Sequence, residues 1–442
     1  MQLNLKSAKG LVLIEQHLTF AKLETIVDIS EIVRYKYQMS TSRTQKPSLH
    51  EAWIDSQALK IVNNLKRNGY ETYLVGGCVR DLLIGLHPKD FDIATDAQPN
   101  QVKRIVPHSY IIGRRFRLVL VRRGDHQFEI ATFRRPMTAQ EIESAKAQRE
   151  ENSGPIGDNF FGTPEEDARR RDFTVNGLFY DTSEHRVIDH INGLADIESR
   201  ILRMIGDPVE RLREDPIRAL RALRLSHKIG FSIESELRQA MLDHADAVLA
   251  TALPRRREEF LKTLRLPDSS IAFCEMWDLK IMNHILPWLA GNFANDSFRD
   301  EFLYSLRHLT RDEWNLDDPM ELMTAFAYFT ARSKYPDEKF LIEKIRDDLG
   351  FEEFLRNELG MFRAEIGHFI GCCEMMSSLA NRESFLRKGD RRKKAFVENE
   401  FFDLSLRLAF ADKVIDSSTF QFWNEVDYPQ TTEKPDPSSD QT

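Results

Sequence analysis

The chain has 442 residues, 41% of them hydrophobic and 30% charged, with a formal net charge of −8. That length carries two to four domains with sizeable cores, and no apolar run is long enough to span a bilayer, which excludes a membrane role. The acidic balance argues against a protein that binds nucleic acid over its whole surface. It leaves room for a local basic groove, for which Arg114, Arg115, Arg117, Arg122 and Arg123, and then Arg169, Arg170 and Arg171, are dense enough.

Residues 1–44 mix helical and polar signals and carry no legible chemistry; they read as an extension of unknown role. Lys6 and Lys9 alternate there with Glu15, Glu24 and Asp28, which is neither a signal nor a transit pattern, so a cytoplasmic location is expected. Ala58, Leu59, Ile61, Val62 and Leu65 fall near a 3.6-residue period and predict an amphipathic helix ended by Gly69. Tyr73, Leu74 and Val75 predict a short strand running into Gly76 and Gly77, then a helix through Leu83 that stops at Gly85. Asp90, Phe91 and Asp92 end an extended stretch, and further strands are expected over 118–121 and 128–133. The polar segment 137–155 reads as a loop or short exposed helix. Residues 45–190 are therefore read as a mixed α/β head. From about residue 195 the strand signals fade, and helical patterns such as that around Ile217, Leu220 and Leu223 run to about residue 425. Residues 427–442, rich in Pro, Ser, Thr and acids, read as disordered. Cys78, Cys274, Cys372 and Cys373 match no zinc spacing and read as reduced thiols.

Asp90 and Asp92 are two apart, so on a strand they share a face while Phe91 points to the buried side. Hard oxygen ligands so spaced suit Mg²⁺, although an isolated Asp-x-Asp is more often a solvated strand end or an Asx turn. Gly76 and Gly77, between a strand and a helix, would let a backbone approach a triphosphate closely; alone they are equally a tight turn. Arg80 can reach a phosphate or pair with Asp81. Glu129 lies in a β-prone segment, where it is either a third acidic ligand or an outward-facing side chain. Arg171 can hold phosphate, and Asp172 and Asn176, one helical turn apart, can bond a ribose or belong to a capped, salt-bridged helix. Asp215 and Arg218 open a helix at Pro216 as an acceptor beside a donor. That arrangement can read the edge of a base, or it can be an N-cap with an ion pair. Phosphate-loop, nucleophile-elbow and dinucleotide fingerprints are absent from the sequence.

In order along the chain, Leu74-Val-Gly-Gly-Cys-Val-Arg-Asp81, Lys89-Asp-Phe-Asp-Ile-Ala-Thr95, Arg170-Arg-Asp-Phe-Thr-Val-Asn176 and Arg213-Glu-Asp-Pro-Ile-Arg218 resemble the class II nucleotidyltransferases. These are the bacterial poly(A) polymerases and the tRNA CCA-adding enzymes, and the resemblance covers about residues 55–235. It implies a polymerase-beta-like α/β head over 45–190, followed by an all-α neck over 191–250 and an all-α body and tail over 251–426. It also implies two Mg²⁺ ions on Asp90 and Asp92, with Glu129 as a further catalytic acid. Gly76, Gly77 and Arg80 would lie along the triphosphate of ATP; Arg171, Asp172 and Asn176 would contact sugar and phosphate; Asp215 and Arg218 would read the base.

Residues 111–121 and Asp158 to Thr163 resemble the poly(A) polymerases, and the Gly-x-x-His-Gly-Thr pattern of CCA-adding enzymes is missing. The expected activity is template-independent addition of AMP to the 3′ ends of transcripts. A tRNA nucleotidyltransferase adding CCA, CC or A stands second, and a non-catalytic RNA-binding adaptor third. Many such polymerases end in a basic tail, whereas this chain ends on Asp427, Glu433, Asp436 and Asp440. Arg114, Arg115, Arg255, Arg256, Arg257, Arg392 and Lys393 are the candidates for RNA-backbone contact, or else solvated helix ends.

Overall fold

The computed structural model describes residues 49–113, 117–124, 126–135, 160–309 and 314–426. The expectations for 1–44, 137–155 and 427–442, and those for Arg114, Arg115, Asp158 and Asn159, lie outside the described residues.

Asp55 starts the first helix, α1 (Ser56–Arg67), by accepting from the amides of Gln57 and Ala58 at 2.6 and 3.1 Å. The predicted stripe Ala58, Ile61, Val62 and Leu65 is its buried face, and Gly69 turns the chain at φ +85°. Next come β1 (Thr72–Val75), α2 (Gly77–Leu83), β2 (Asp92–Thr95), α3 (Pro99–Ile105), β3 (Ser109–Ile112), β4 (Leu118–Arg123) and β5 (His126–Thr132). After α4 (Pro164–Arg169) the head closes with β6 (Leu178–Asp181) and β7 (Arg186–Asp189).

The sheet order is β3-β4-β5-β2-β1-β6-β7. Every neighbouring pair is antiparallel except β2 and β5, which run parallel. The register sets Val75 beside Asp92, and Asp92 beside Glu129. Laterally paired residues share a face, so both acids emerge on one side of the sheet. Leu74, Ile93 and Ile130 point the other way into the main core. Tyr73, Val75 and Ala94, on the acid-bearing side, pack with Phe133, Ala168 and Phe179 in a second, smaller core. Each fully buried Leu, Val or Phe contributes roughly 1.5–3 kcal/mol over an exposed one.

Beyond β7 the chain is helical: α5 (Gly193–Ser199), α6 (Pro208–Glu214), α7 (Ile217–Ile229), α8 (Ser235–Asp243), α9 (Leu253–Leu264), and further helices through Ser417–Glu425. The fading of strand signals past residue 195 has one small exception, two-residue strands β8 (Ile201–Leu202) and β9 (Ser232–Ile233) that pair in parallel. Asp207 caps α6 through the amide of Glu210, with Pro208 in its first turn, and Gly230 at φ +69° ends α7. The main core runs without interruption from Leu74 and Val79 of the head to Leu223, Phe273 and Phe326 of the helical region. Lys228 of α7 pairs with Asp81 of α2 at 3.2 Å, and Arg211 donates to the carbonyls of Arg170 and Arg171 at 2.9 and 2.7 Å, so head and first helices share polar ties as well. This is the expected α/β head with a mixed sheet and a largely helical remainder. Among the described residues no helix is long and apolar enough to cross a membrane, and all four cysteines are free thiols.

Candidate active site

Between the sheet and helices α7 and α9 lies an open cleft of about 610 Å³. Its floor is where β1 gives way to α2. Gly76 takes φ +74° there, and a Cβ on it would meet Arg171 Nη1 at 2.9 Å and face Asp92 Oδ2 at 3.9 Å. The glycine is required by backbone conformation and by the crowding of those two side chains. All eight residues expected to hold the nucleotide line this cleft: Gly76, Gly77, Arg80, Arg171, Asp172, Asn176, Asp215 and Arg218. Asp92 lines it with them.

Asp92 is exposed to the cleft yet hemmed in by its walls. Loss of bulk solvent, together with the neighbouring charges of Glu129 and then Asp90, outweighs the pull of Arg171 and raises its carboxyl to about 6. Beneath it, burial and the same Asp92 charge push the Cys78 thiol up to about 12, far from a nucleophilic thiolate.

Asp90 precedes β2 rather than lying on it, and it lines an adjoining cavity of about 490 Å³ with Trp53, His87, Lys89 and His126. Phe91 is buried as expected. Among the described residues, no three His, Cys, Asp or Glu side chains gather into a group that could hold a metal ion. The donors still suit Mg²⁺, which commonly takes one or two carboxylates and fills its shell with water and phosphate oxygens. Glu129, paired with Asp92 across β2 and β5, adds a further carboxylate on the same side of the sheet.

The polar segment after α4 is not the helix that the spacing of Asp172 and Asn176 suggested. Phe173 is extended and residues Thr174–Asn176 make a single 3-10 turn. The two side chains meet all the same, Asn176 Nδ2 donating to Asp172 Oδ1 at 3.1 Å. Asn176 Oδ1 accepts from Arg80, whose Nε and Nη2 also hold Asp81 at 2.8 and 2.5 Å. Arg80 is thus a buried, paired group at the cleft wall. Arg171 is fixed by two bonds to Asp167, at 3.1 and 3.0 Å, and lies over the Phe179 ring. Burial works to raise the Asp167 carboxyl, but Arg171 and Arg170 hold it below the usual range.

Two arginines that the motifs did not assign to the nucleotide site organise the acids opposite. Arg221 grips Asp172 at 3.0 and 2.5 Å, outweighing burial and holding that carboxyl low. Arg255, expected on RNA, is bidentate to Asp215 at 3.0 and 2.9 Å. Arg218 turns to Glu214 and to the carbonyl of Arg211 at 3.0 and 2.6 Å. Arg170, Arg224, Lys228 and Lys262 complete the wall, which carries nine Arg and Lys side chains against three Asp in a chain whose net charge is −8. Steps of three and four from Arg218 through Arg221 and Leu225 to Lys228 are the signal that could have found this face.

Among the described residues, the remaining RNA candidates do not line the cleft. Arg257 pairs with Glu365 and covers the Phe362 ring, and Arg256 is half-buried with its Nε unbonded, so neither is a solvated helix start. Arg392 is exposed and Lys393 half-buried on the helix Asp390–Val397, away from the cleft.

Residues 72–203 match the family model described as the poly A polymerase head domain, and residues 230–292 match that described as the probable RNA and SrmB-binding site of polymerase A. A poly(A) polymerase I of Salmonella typhi is 36% identical over 285 residues, 64% of this chain and 61% of that protein, so the match leaves over a third of the relative's length uncovered. A poly(A) polymerase I of Haemophilus influenzae is 34% identical over 337 residues, 74% of this chain and 72% of its own length. Among solved structures, a CCA-adding enzyme in complex with ATP shares the fold, with a TM-score of 0.54 at 18% identity over 84% of this chain and 83% of that one. With both family models matched in order and the Haemophilus protein covered over most of its length, the chain belongs to the poly(A) polymerase family of nucleotidyltransferases.

Proposed function

We propose that this protein adds AMP from ATP to RNA 3′ ends without a template, as a poly(A) polymerase. The observation that carries this reading is the basic cleft that all eight expected nucleotide contacts line together with Asp92. On this reading the triphosphate lies over Gly76 and Gly77, against a wall whose positive charge offsets the phosphates. Asp172 and Asn176, locked to each other, meet the ribose; Asp215 accepts from the adenine amino group and Arg218 donates to a ring nitrogen. Asp90 and Asp92 would hold two Mg²⁺ ions, which supply charge neutralisation at the phosphates and ease loss of the hydroxyl proton. The RNA 3′-oxygen bonds to the α-phosphorus as the α–β bridge breaks, and pyrophosphate leaves with the electron pair. Glu129, beside Asp92 on the neighbouring strand, is the side chain set to take up the hydroxyl proton.

Residues 45–190 are then the catalytic head, 191–250 a neck that reads the base, and 251–426 an RNA-binding body and tail of a cytoplasmic enzyme. The rival is addition of CCA, CC or A to tRNA, which uses the same fold. The absence of Gly-x-x-His-Gly-Thr near residues 111–121 and the naming of the Salmonella and Haemophilus relatives favour polyadenylation. Incubating the pure chain and Mg²⁺ with radiolabelled ATP or CTP decides between them. Long A-tracts on an arbitrary RNA support the proposal. One to three residues added only to tRNA lacking its end support the rival. No incorporation on either RNA leaves the adaptor.

A further inference from the structure

We infer that the hollow between α1 and the end of β4, on the face of the head turned away from Asp92, holds the phosphodiester backbone of RNA upstream of the growing 3′ end. The inference rests on the proposed function, which supplies RNA as the ligand, and adds a second, non-catalytic site to it. The hollow measures about 350 Å³. Gln57, Lys60, Asn64 and Arg67 follow one another along α1 in steps of three and four, so they share a flank beside its buried stripe. Arg123 closes the hollow from β4. Asn64 Nδ2 donates to the carbonyl of Ile105 at 3.0 Å and ties α1 to the end of α3, whose last turn carries Lys103 and Arg104. No Asp or Glu lines the hollow, and among the described residues Lys60, Arg67 and Arg123 take part in no ion pair. Three unneutralised cations around one concavity, in a chain of net charge −8, form a site for anions.

Successive residues at the end of β4 carry positive charge around the sheet. Leu120 lies beside Glu129, which lies beside Asp92, so Leu120 and Arg122 face the side of the acids. Arg122 is exposed there, roughly 7 Å along the strand from Leu120. Arg123 points the other way, with Val119 and Val121 of the main core, into the hollow. A strand leaving the acids can thus pass from Arg122 to Arg123 around the sheet's end and continue along Lys60 and Arg67. A substrate that lengthens at every turnover has use for such a path. No aromatic ring lines the hollow, so contact is with phosphates and a strand of any sequence fits. The two apolar residues of the lining, Ile61 and Val106, are buried, which leaves an acidic peptide little to grip besides charge.

The test compares the full wild-type chain with the double variant Lys60→Gln/Arg67→Gln, both at exposed positions. The RNAs are a long oligoadenylate and one only long enough to fill the cleft, and affinity is read by fluorescence anisotropy across a salt series. For the long strand the variant should bind about tenfold more weakly, with a log–log salt slope shallower by about 1.4, or about 0.7 for each of two lost phosphate contacts. Affinity for the short strand, its extension rate and the ATP KM should match wild type. Arg123→Gln should show the same split, with a slope shallower by about 0.7. If the double variant keeps the wild-type affinity and slope for the long strand, or loses equally on both strands, the hollow is not an upstream site and the polymerase reading survives. Polyglutamate that binds wild type but not the variant, with long-strand binding unmoved, would assign the hollow to an acidic protein instead. If the wild-type chain neither binds nor extends RNA, both readings fall together.

Discussion

Both terminal nitrogens of Arg255 hold the carboxylate of Asp215, at 3.0 and 2.9 Å. The acceptor expected to read a base is therefore aimed by another helix, forty residues on in the chain, rather than left to swing from its own. A fork-shaped guanidinium fixes a carboxylate's plane as well as its position. Arg255→Ala should free Asp215 to rotate and accept other base edges. The expected result is a loss of about tenfold in the ratio of kcat/KM for ATP over CTP. Because this pair is largely solvent-exposed, the melting temperature should barely move. An unchanged ratio would show that the brace plays no part in base choice.

Gly76→Ala adds a methyl where φ is +74° and where Arg171 Nη1 would be 2.9 Å away. Arg171 cannot yield freely, being bonded twice to the buried Asp167. A stability loss of about 1–3 kcal/mol is expected from the backbone alone. The ATP KM should rise as well, and isothermal titration with a non-hydrolysable ATP analogue would read it directly.

Arg221→Ala strips Asp172 of its main cation and leaves a half-buried carboxylate with two neutral donors. A loss of about 1–2 kcal/mol is expected, discounted because Arg221 is itself partly exposed. The sign with pH follows from the lowered Asp172 carboxyl. The pair's stabilisation is fully present above the ordinary value of 3.8 and is lost as pH falls below it toward the folded-state value. The stability gap between wild type and variant, measured by urea denaturation, should thus be wide at pH 7 and narrow below pH 3.8.

Glu358 behaves in the opposite sense. Burial lifts its carboxyl to about 7, against the amide of Trp288 that bonds both its oxygens at 3.1 and 3.2 Å and with Glu353 adding to the rise. The folded chain holds this proton more tightly than the unfolded one, whose value is 4.5. Stability from this group is full below pH 4.5 and is lost as pH rises through about 7. Glu358→Gln should remove that slope and gain about 1–2 kcal/mol over wild type at pH 8. Parallel stability curves for the two proteins between pH 4.5 and 8 would contradict the assignment.

What sequence revealed was local. The turn at Gly76 and Gly77, the strand into Asp92 and the helix opened by Pro216 each depend on neighbours within a few residues, so motif and period were enough. The strands Leu178–Asp181 and Arg186–Asp189 escaped because a four-residue run, buried on both faces in the first case, has no alternation to detect. The pairs Arg221 with Asp172 and Arg255 with Asp215 span 49 and 40 residues, and only the packing of helices against the head brings them together. Asp90 marks another limit: spacing alone put it on a strand with Asp92, while the chain enters β2 only at Asp92, and Asp90 is left facing the adjoining cavity.

Asp92 is the hinge of the whole account, and single-turnover transfer of radiolabelled AMP to a short RNA in Mg²⁺ tests it. Removing its charge relieves repulsion with Glu129 and Asp90, so Asp92→Ala should melt no lower than wild type. Transfer by that variant should fall by about a thousandfold or more, since charge stabilisation at the phosphates is lost. If Asp92→Ala still extends RNA at the wild-type rate, the cleft it floors is not where the reaction occurs.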